Sequence, residues 1–402
     1  MLKNESWTAA RDLLLGIAGP VNTEMISLEE SAGRILAFDL KAAEDVPPFD
    51  RSAYDGYAFR AEDVKEASRE NPVTLRLTGT IAAGDVGKPV TPGYAVHLMT
   101  GAPVPDGADC VIKFERTAFT DETVTIFDAL CPGDNIVRRG EDVAAGSLLA
   151  PCGTVIDAGL AGTLAAQGIV QVQVYRRPVI GLISTGSEVV EADQVQGAGM
   201  IRNANRSTFT ALLEREGCRV CYLGLAGDDA GDIQALIENG LARCDAVILT
   251  GGVSVGDWDV TPEAMERAGT QILLRGVDMK PGMACAYGTA GGKLVLGLSG
   301  NPASALTNFC ACVLPALRRL CGRQDPMPQP VRACLERGFR KRSPSDRFLR
   351  GQLRLDGKVT FVPACEQGNA VLSSTIGCNA FLLIPAGSGP VEAGTELKGF
   401  VL

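Results

Sequence analysis

The sequence predicts a multidomain α/β plus β chain: a central doubly wound parallel sheet, a β-rich inserted domain and a C-terminal β-barrel. Three observations predict it. From 177 to 327, short apolar runs alternate with helical stretches, the pattern of a parallel sheet covered on both faces. From about residue 72 to 174, short segments alternate apolar and polar residues between Gly and Pro, as half-buried strands do. From 328 to 402 strand-like segments return, ending in a Gly-punctuated run. A chain of 402 residues has room for about three domains at roughly 150 residues each.

Taken in order, residues 1–45 open with helical patterns, the second announced by Ser27 and Glu30 as a capping box. Residues 45–60, DVPPFDRSAYDGYAFR, are too rich in Pro, Asp and Gly for regular structure and too aromatic for a free linker, so a packed functional loop is expected. The strand-like segments that follow are LRLTG, YAVHLM, CVIKFE, TVTIF and VQVQVY. Two loops among them are denser than hairpins require, TGAPVPDGAD at 100–109 and NIVRRGED at 135–142.

Arg176-Arg177-Pro178 marks the change of period. Strands are expected at 179–184, 219–225, 246–249, 271–277 and 293–298, and helices at 206–216, 233–242, 261–268 and 303–320. In such a sheet the carboxyl ends of the strands share one edge, where ligands bind. The five strands are followed by Thr185-Gly186-Ser187-Glu188, Gly227-Asp228-Asp229, Thr250-Gly251-Gly252-Val253-Ser254, Lys280-Pro281-Gly282 and Ser299-Gly300-Asn301-Pro302-Ala303-Ser304. Every one carries Gly and polar groups. The third strand is apolar throughout and reads as buried on both faces; the Gly251-Gly252 pair after it leaves backbone N–H groups free of Cβ atoms to converge on a phosphate.

The chemistry implied is a phosphorylated ligand with a divalent cation. Lys280 and backbone amides neutralise phosphate, whereas Glu188, Asp228 and Asp259 need a metal between themselves and it. Hard oxygen donors without histidine favour Mg²⁺ over zinc. A single histidine, His97 in the strand-like YAVHLM, excludes a two-histidine metal site. No P-loop and no G-x-G-x-x-G after a strand is present, so P-loop hydrolysis and nicotinamide dinucleotide binding are unsupported.

Net charge is −9 with a pI near 5.0, and no basic cluster is dense enough to track a nucleic-acid backbone. No run of about 18 apolar residues spans a membrane, and Glu5, Arg11 and Asp12 interrupt the charge pattern of a secretory signal. Thirteen scattered cysteines suit buried thiols in a reducing compartment, so a cytoplasmic location is expected. Cys218 and Cys221 fall in a strand, where an offset of three points them to opposite faces. Near the end of the chain, Arg340-Lys341-Arg342 and Arg347 are expected to form a solvated face.

Together PPFDRSAYDGYAF, MTGAPVPDGADCVIKFE, RRGED, ISTGSE, TGGVSVGDWD, MKPG and SGNPAS, in that order, resemble the molybdopterin molybdenumtransferase family, bacterial MoeA, whose eukaryotic relative is the gephyrin E domain. The resemblance covers nearly the whole chain. It implies four domains: 1–45 with 147–176, 46–146, a MogA-like α/β domain at 177–327, and a barrel at 328–402. It implies a homodimer whose active site lies between the α/β domain of one subunit and the inserted domain of the other, and a pterin adenylyltransferase as candidate protein partner. The reaction implied takes adenylylated molybdopterin and molybdate and, with Mg²⁺, inserts the metal and releases AMP.

On matching positions the resemblance implies roles for Asp142, Asp55 and Thr100 as the inserted domain's catalytic set. Glu188, Asp228 and Asp259 would hold Mg²⁺, with Glu188 also catalytic and Asp228 also at the substrate. Gly251, Gly252, Ser254, Lys280, Gly300, Asn301, Pro302 and Ser304 would bind pterin and phosphates. Molybdate is an oxyanion and needs donors, for which Arg138, Arg139, Ser254 and Ser304 are the candidates. Departures from the family pattern are Val137 and Met283, where cations are usual, Tyr54, Asn203-Ala204-Asn205 and Ser299. Two other readings remain: a pterin adenylyltransferase-like enzyme, which would need neither the inserted domain nor Asp142, and a non-catalytic pterin-binding scaffold.

Overall fold

The computed structural model describes residues 1–253 and 260–402. The chain forms two compact units, one of residues 1–38, 152–156 and 172–402, the other of 39–151 and 157–171.

In the first unit the sheet is built from β1 (Leu2–Ser6), β2 (Val179–Thr185), β3 (Arg219–Ala226), β4 (Ala246–Thr250), β5 (Gln271–Lys280), β6 (Cys285–Ala290) and β7 (Lys293–Leu298). Their order is β3-β2-β4-β7-β6-β5, with β1 parallel to β5. Alternate residues of the central strands enter different cores. Ile180, Leu182, Ala246, Ile248, Leu294 and Leu296 pack with helices α1 (Trp7–Ile17) and α2 (Ala204–Arg215). Ile183, Val247, Leu249 and Val295 pack with α3 (Ala230–Arg243) and α4 (Thr261–Arg267). All five residues of β4 are buried, as an apolar run covered on both faces must be.

The five expected strands run parallel, and the sheet also takes in one antiparallel strand that the sequence did not announce. β6 runs antiparallel to both β5 and β7. Its sequence, CAYGTA, carries no alternation or β-branched run to announce a strand. Two reversals cancel, so β5 still runs in the direction of β7 and Lys280 still ends on the shared edge. The last helical run is α5 (Pro302–Asn308), a π turn (Phe309–Val313) and α6 (Leu314–Leu320); Pro315 has no N–H with which to continue the i−4 ladder there.

Five further strands, β8 (Pro330–Leu335), β9 (Asp346–Asp356), β10 (Lys358–Pro363), β11 (Ala380–Ile384) and β12 (Glu396–Val401), close into a barrel because β9 pairs with both β10 and β11. Arg340, Lys341 and Arg342 are exposed as expected, but Arg347 is 7% exposed and lies over the Phe339 ring. The ring covers the guanidinium, which is why the solvated face ends before it.

The second unit contains a six-stranded sheet ordered Cys110–Lys113, Gly56–Phe59, Tyr94–Leu98, Val73–Ile81, Thr123–Ile126, Thr117–Phe119. Its second strand lies in the stretch expected to be irregular. Gly56 is required there: a Cβ would meet the Ile112 carbonyl oxygen at 1.9 Å. VQVQVY forms a strand (Gln171–Tyr175), but outside that sheet. The second helical pattern of the N-terminal stretch is only a three-residue turn, Leu28–Glu30; the Ser27 hydroxyl donates to the Glu30 carboxylate instead of capping a backbone N–H, and Gly33, at φ +73°, ends the segment. Cys218 sits with its sulfur 3.8 Å from that of Cys321, so it is turned toward another cysteine than Cys221.

Candidate functional site

The carboxyl edge of the sheet holds a cavity of about 670 Å³. After β2 the chain turns through Gly186, at φ +134°, where a Cβ would meet the Glu188 Oε2 at 2.6 Å. Only glycine lets the Glu188 carboxylate fold back this closely. The Ser187 N–H donates to Asp228 Oδ2 at 3.1 Å, and the Asp228 N–H donates to Ser187 Oγ at 3.0 Å. This reciprocal pair ties together the loops after β2 and β3, so Glu188 and Asp228 line the same cavity.

The loop after β4 supplies Gly251 and Gly252, and the loop after β7 supplies Gly300, Asn301 and Pro302, all on the cavity wall. Gly251 has φ +109° and Gly252 φ +60°; added Cβ atoms would come within 2.4 Å of the Thr185 carbonyl oxygen and the Thr261 hydroxyl oxygen. The Gly251 N–H is donated to the Leu298 carbonyl at 2.9 Å. That amide is therefore not offered to a phosphate, which corrects the expected reason for this glycine: it packs against Thr185. Ser254 and Asp259 lie outside the described residues.

Several polar residues that line the cavity are not among the expected site residues, Asn203, Asn205 and Thr250 among them. Asn203 caps α2, accepting from the Arg206 N–H at 3.1 Å and from the Ser184 hydroxyl at 3.1 Å. Asn205 donates to the Gly300 carbonyl at 2.9 Å, but among the described residues its buried Oδ1 has no partner, and neither has the buried Thr250 Oγ1. Most buried polar atoms are hydrogen-bonded; two orphans on one cavity wall are places for a polar ligand. In the sequence Asn203 and Asn205 stood out only as a departure from the family pattern, and nothing local marks Asn205 as facing a ligand. Ala370 and Leu372 also line the cavity, contributed by the barrel segment between β10 and β11; no local motif marks them.

Lys280 is exposed at the end of β5 and is not part of the cavity lining, although Ala284 is. Ser304 is buried in the first turn of α5, its N–H donating to the Asn369 carbonyl at 3.2 Å.

In the second unit the structure brings Asp55 and Thr100 together. Asp55 Oδ1 accepts from the Thr100 N–H at 2.6 Å and from its hydroxyl at 2.9 Å. The N–H first, then the hydroxyl, hold the Asp55 carboxyl below its ordinary value. Asp142 is exposed, with its N–H on the Val46 carbonyl at 3.0 Å. Arg138 pairs with Asp50 and Arg139 with Asp45, each at 2.6 Å. An oxyanion would have to compete with these carboxylates.

Mg²⁺ is commonly held by one or two carboxylates plus substrate phosphates. Among the described residues no three of His, Cys, Asp and Glu cluster, but Glu188 and Asp228 on one cavity supply the two that this mode needs.

Three family models match the chain: "MoeA N-terminal region (domain I and II)" over residues 5–168, "Probable molybdopterin binding domain" over 181–319, and "MoeA C-terminal region (domain IV)" over 332–400. The molybdopterin molybdenumtransferase of Bacillus subtilis (strain 168) is 38% identical over 382 residues, covering 94% of this chain and 89% of that one. That of Staphylococcus aureus (strain MRSA252) is 36% identical over 371 residues, covering 92% and 88%. The crystal structure of the molybdopterin biosynthesis moeA protein from Pyrococcus horikoshii OT3 superposes with a TM-score of 0.87 at 30% identity, over 99% of this chain and 100% of that one. With this agreement across nearly its full length, the chain belongs to the molybdopterin molybdenumtransferase (MoeA) family.

Proposed function

We propose that the protein inserts molybdate into adenylylated molybdopterin and releases AMP. The observation that carries this reading is the cavity at the sheet edge, lined by two carboxylates and by Asn205 and Thr250, each with a buried polar atom that has no partner among the described residues. A pterin nucleotide carries the ring donors and acceptors that Asn205 Oδ1 and Thr250 Oγ1 lack.

Glu188 and Asp228, with Asp259, would hold Mg²⁺, which supplies positive charge beside the phosphoanhydride. Cleaving that bond needs charge neutralisation and positioning more than a strong base. Gly252, Gly300, Asn301 and Pro302 orient the substrate, Gly251 shapes the wall by its packing against Thr185, and Ser254, with Lys280 and Ser304 from outside the cavity lining, would be further donors. Asp55, Thr100 and Asp142 act from the inserted domain of a partner subunit, where the Thr100 bonds keep Asp55 ionised and fixed. Arg138 and Arg139 are exposed and would receive molybdate by exchanging their half-buried partners Asp50 and Asp45, which keep bonds from the Arg139 and Ala145 N–H groups.

The test supplies purified protein with adenylylated molybdopterin, Mg²⁺ and molybdate, then measures AMP release and reconstitution of an apo-molybdoenzyme. Release that depends on molybdate supports the reading. Binding without release would instead support a scaffold, the outcome favoured by the missing cations at Val137 and Met283. Repeating the assay with tungstate decides the metal.

A further inference from the structure

A buried guanidinium in the barrel has no role in the scheme above. Arg350, on β9, is 1% exposed, and among the described residues no carboxylate pairs with it. Burial pushes its guanidinium down from the ordinary value. An unpaired buried cation is costly and persists only where its donors are used. They are used on one segment. The Nε donates to the Ser374 hydroxyl at 2.7 Å, and Nη2 donates to the carbonyls of Glu366 at 3.0 Å and Gly368 at 2.8 Å, while Nη1 has no partner among the described residues. The backbone of Arg350 grips the same segment. Its N–H reaches Gln367 Oε1 at 3.2 Å and its carbonyl accepts from the Ala364 N–H at 3.0 Å.

The gripped segment leads straight to the cavity. Asn369, between these anchors, accepts the Ser304 N–H in the first turn of α5, and Ala370 and Leu372 line the cavity wall. We infer that Arg350 is a positioning residue for the substrate cavity: it latches the 364–374 segment of the barrel against α5, so that Ala370 and Leu372 present an apolar wall to the pterin nucleotide. A fixed apolar wall excludes water from one side of a ring system without contacting the reacting atoms, so the latch governs affinity more than turnover. This rests on the proposed reading of the cavity.

Arg350→Lys retains the charge but cannot place planar, forked donors on three acceptors. The full-length variant should show faster amide exchange over 364–376. Its dissociation constant for adenylylated molybdopterin, measured with Mg²⁺ and without molybdate, should rise about tenfold, with kcat for AMP release within about twofold. Leu372→Ala keeps the latch and removes the wall; it should weaken binding similarly with exchange unchanged, which guards against poor folding of the Arg350 variant. Unchanged affinity in both variants overturns the inference, as does a parallel fall of affinity and kcat with a lowered Tm in Arg350→Lys. Wild-type binding without AMP release overturns the proposed reaction alone; no binding by the wild type overturns both.

Discussion

At the scale of single residues, the two carboxylates of the inserted unit differ in how they are held. Asp55 is fixed by two bonds from Thr100, whereas Asp142 is exposed. Removing the Thr100 hydroxyl takes away one of the interactions that stabilise the ionised form. Thr100→Val should raise the Asp55 pKa toward the ordinary value of about 3.9, read by carbon NMR titration of the carboxyl; an unmoved titration would mean that the N–H alone sets it. The sign follows from linkage. An acid with a depressed folded value adds stability above its ordinary titration range and loses it as pH falls through the depressed value, so the variant loses that contribution at a higher pH. For Asp142→Asn, shape is kept and charge is lost. Turnover should fall far more than pterin affinity, and an equal loss in kcat and Kd would make its role structural. The pairing of Asp55 with Thr100 was legible from two motifs 45 residues apart only through the family resemblance, since no local pattern links SAYDGYA to TGAP.

At the scale of elements, the loops after the strands were readable because each is punctuated by Gly beside polar side chains. The physical role of the glycines was not, because what a missing Cβ makes room for depends on neighbours distant in sequence. Gly251 and Gly252 face Thr185 and Thr261, and both have positive φ. Alanine at either should cost about 1–3 kcal/mol in urea denaturation, from backbone strain and the clash. Gly300 makes the contrast: a Cβ there would find the Gly251 Cα at 3.5 Å, an ordinary contact. Gly300→Ala should change stability by no more than about 0.5 kcal/mol. If all three behave alike, the packing account of the loop is wrong. Strand β6 stayed hidden for a related reason: CAYGTA is placed by its partners β5 and β7 and buried by the cores on both faces, not marked by a pattern of its own. Arg350 was hidden more completely, since FLRGQLRL reads as an alternating strand whose arginines belong outside.

At the scale of the whole molecule, the α/β sheet was legible from periodicity, whereas the function was legible only from the order of seven motifs. Asp142 and Glu188 belong to separate compact units, and the family resemblance implies that a working site draws Asp142 from one subunit and Glu188 from the other. That arrangement has a consequence no single-chain site shares. On that reading Asp142→Asn and Glu188→Gln chains should each be inactive as homodimers. A mixed dimer carries one site with both substitutions and one with neither. Random re-association of equal amounts makes about half of the dimers mixed, each with one intact site of two, so activity should recover to about a quarter of wild type. Dimers refolded separately and then combined should stay inactive if exchange is slow, which controls for contamination. No recovery after co-refolding, with mixed dimers verified by differently tagged chains, would place Asp142 and Glu188 of one chain in one site and overturn the shared-site reading while leaving the family assignment intact.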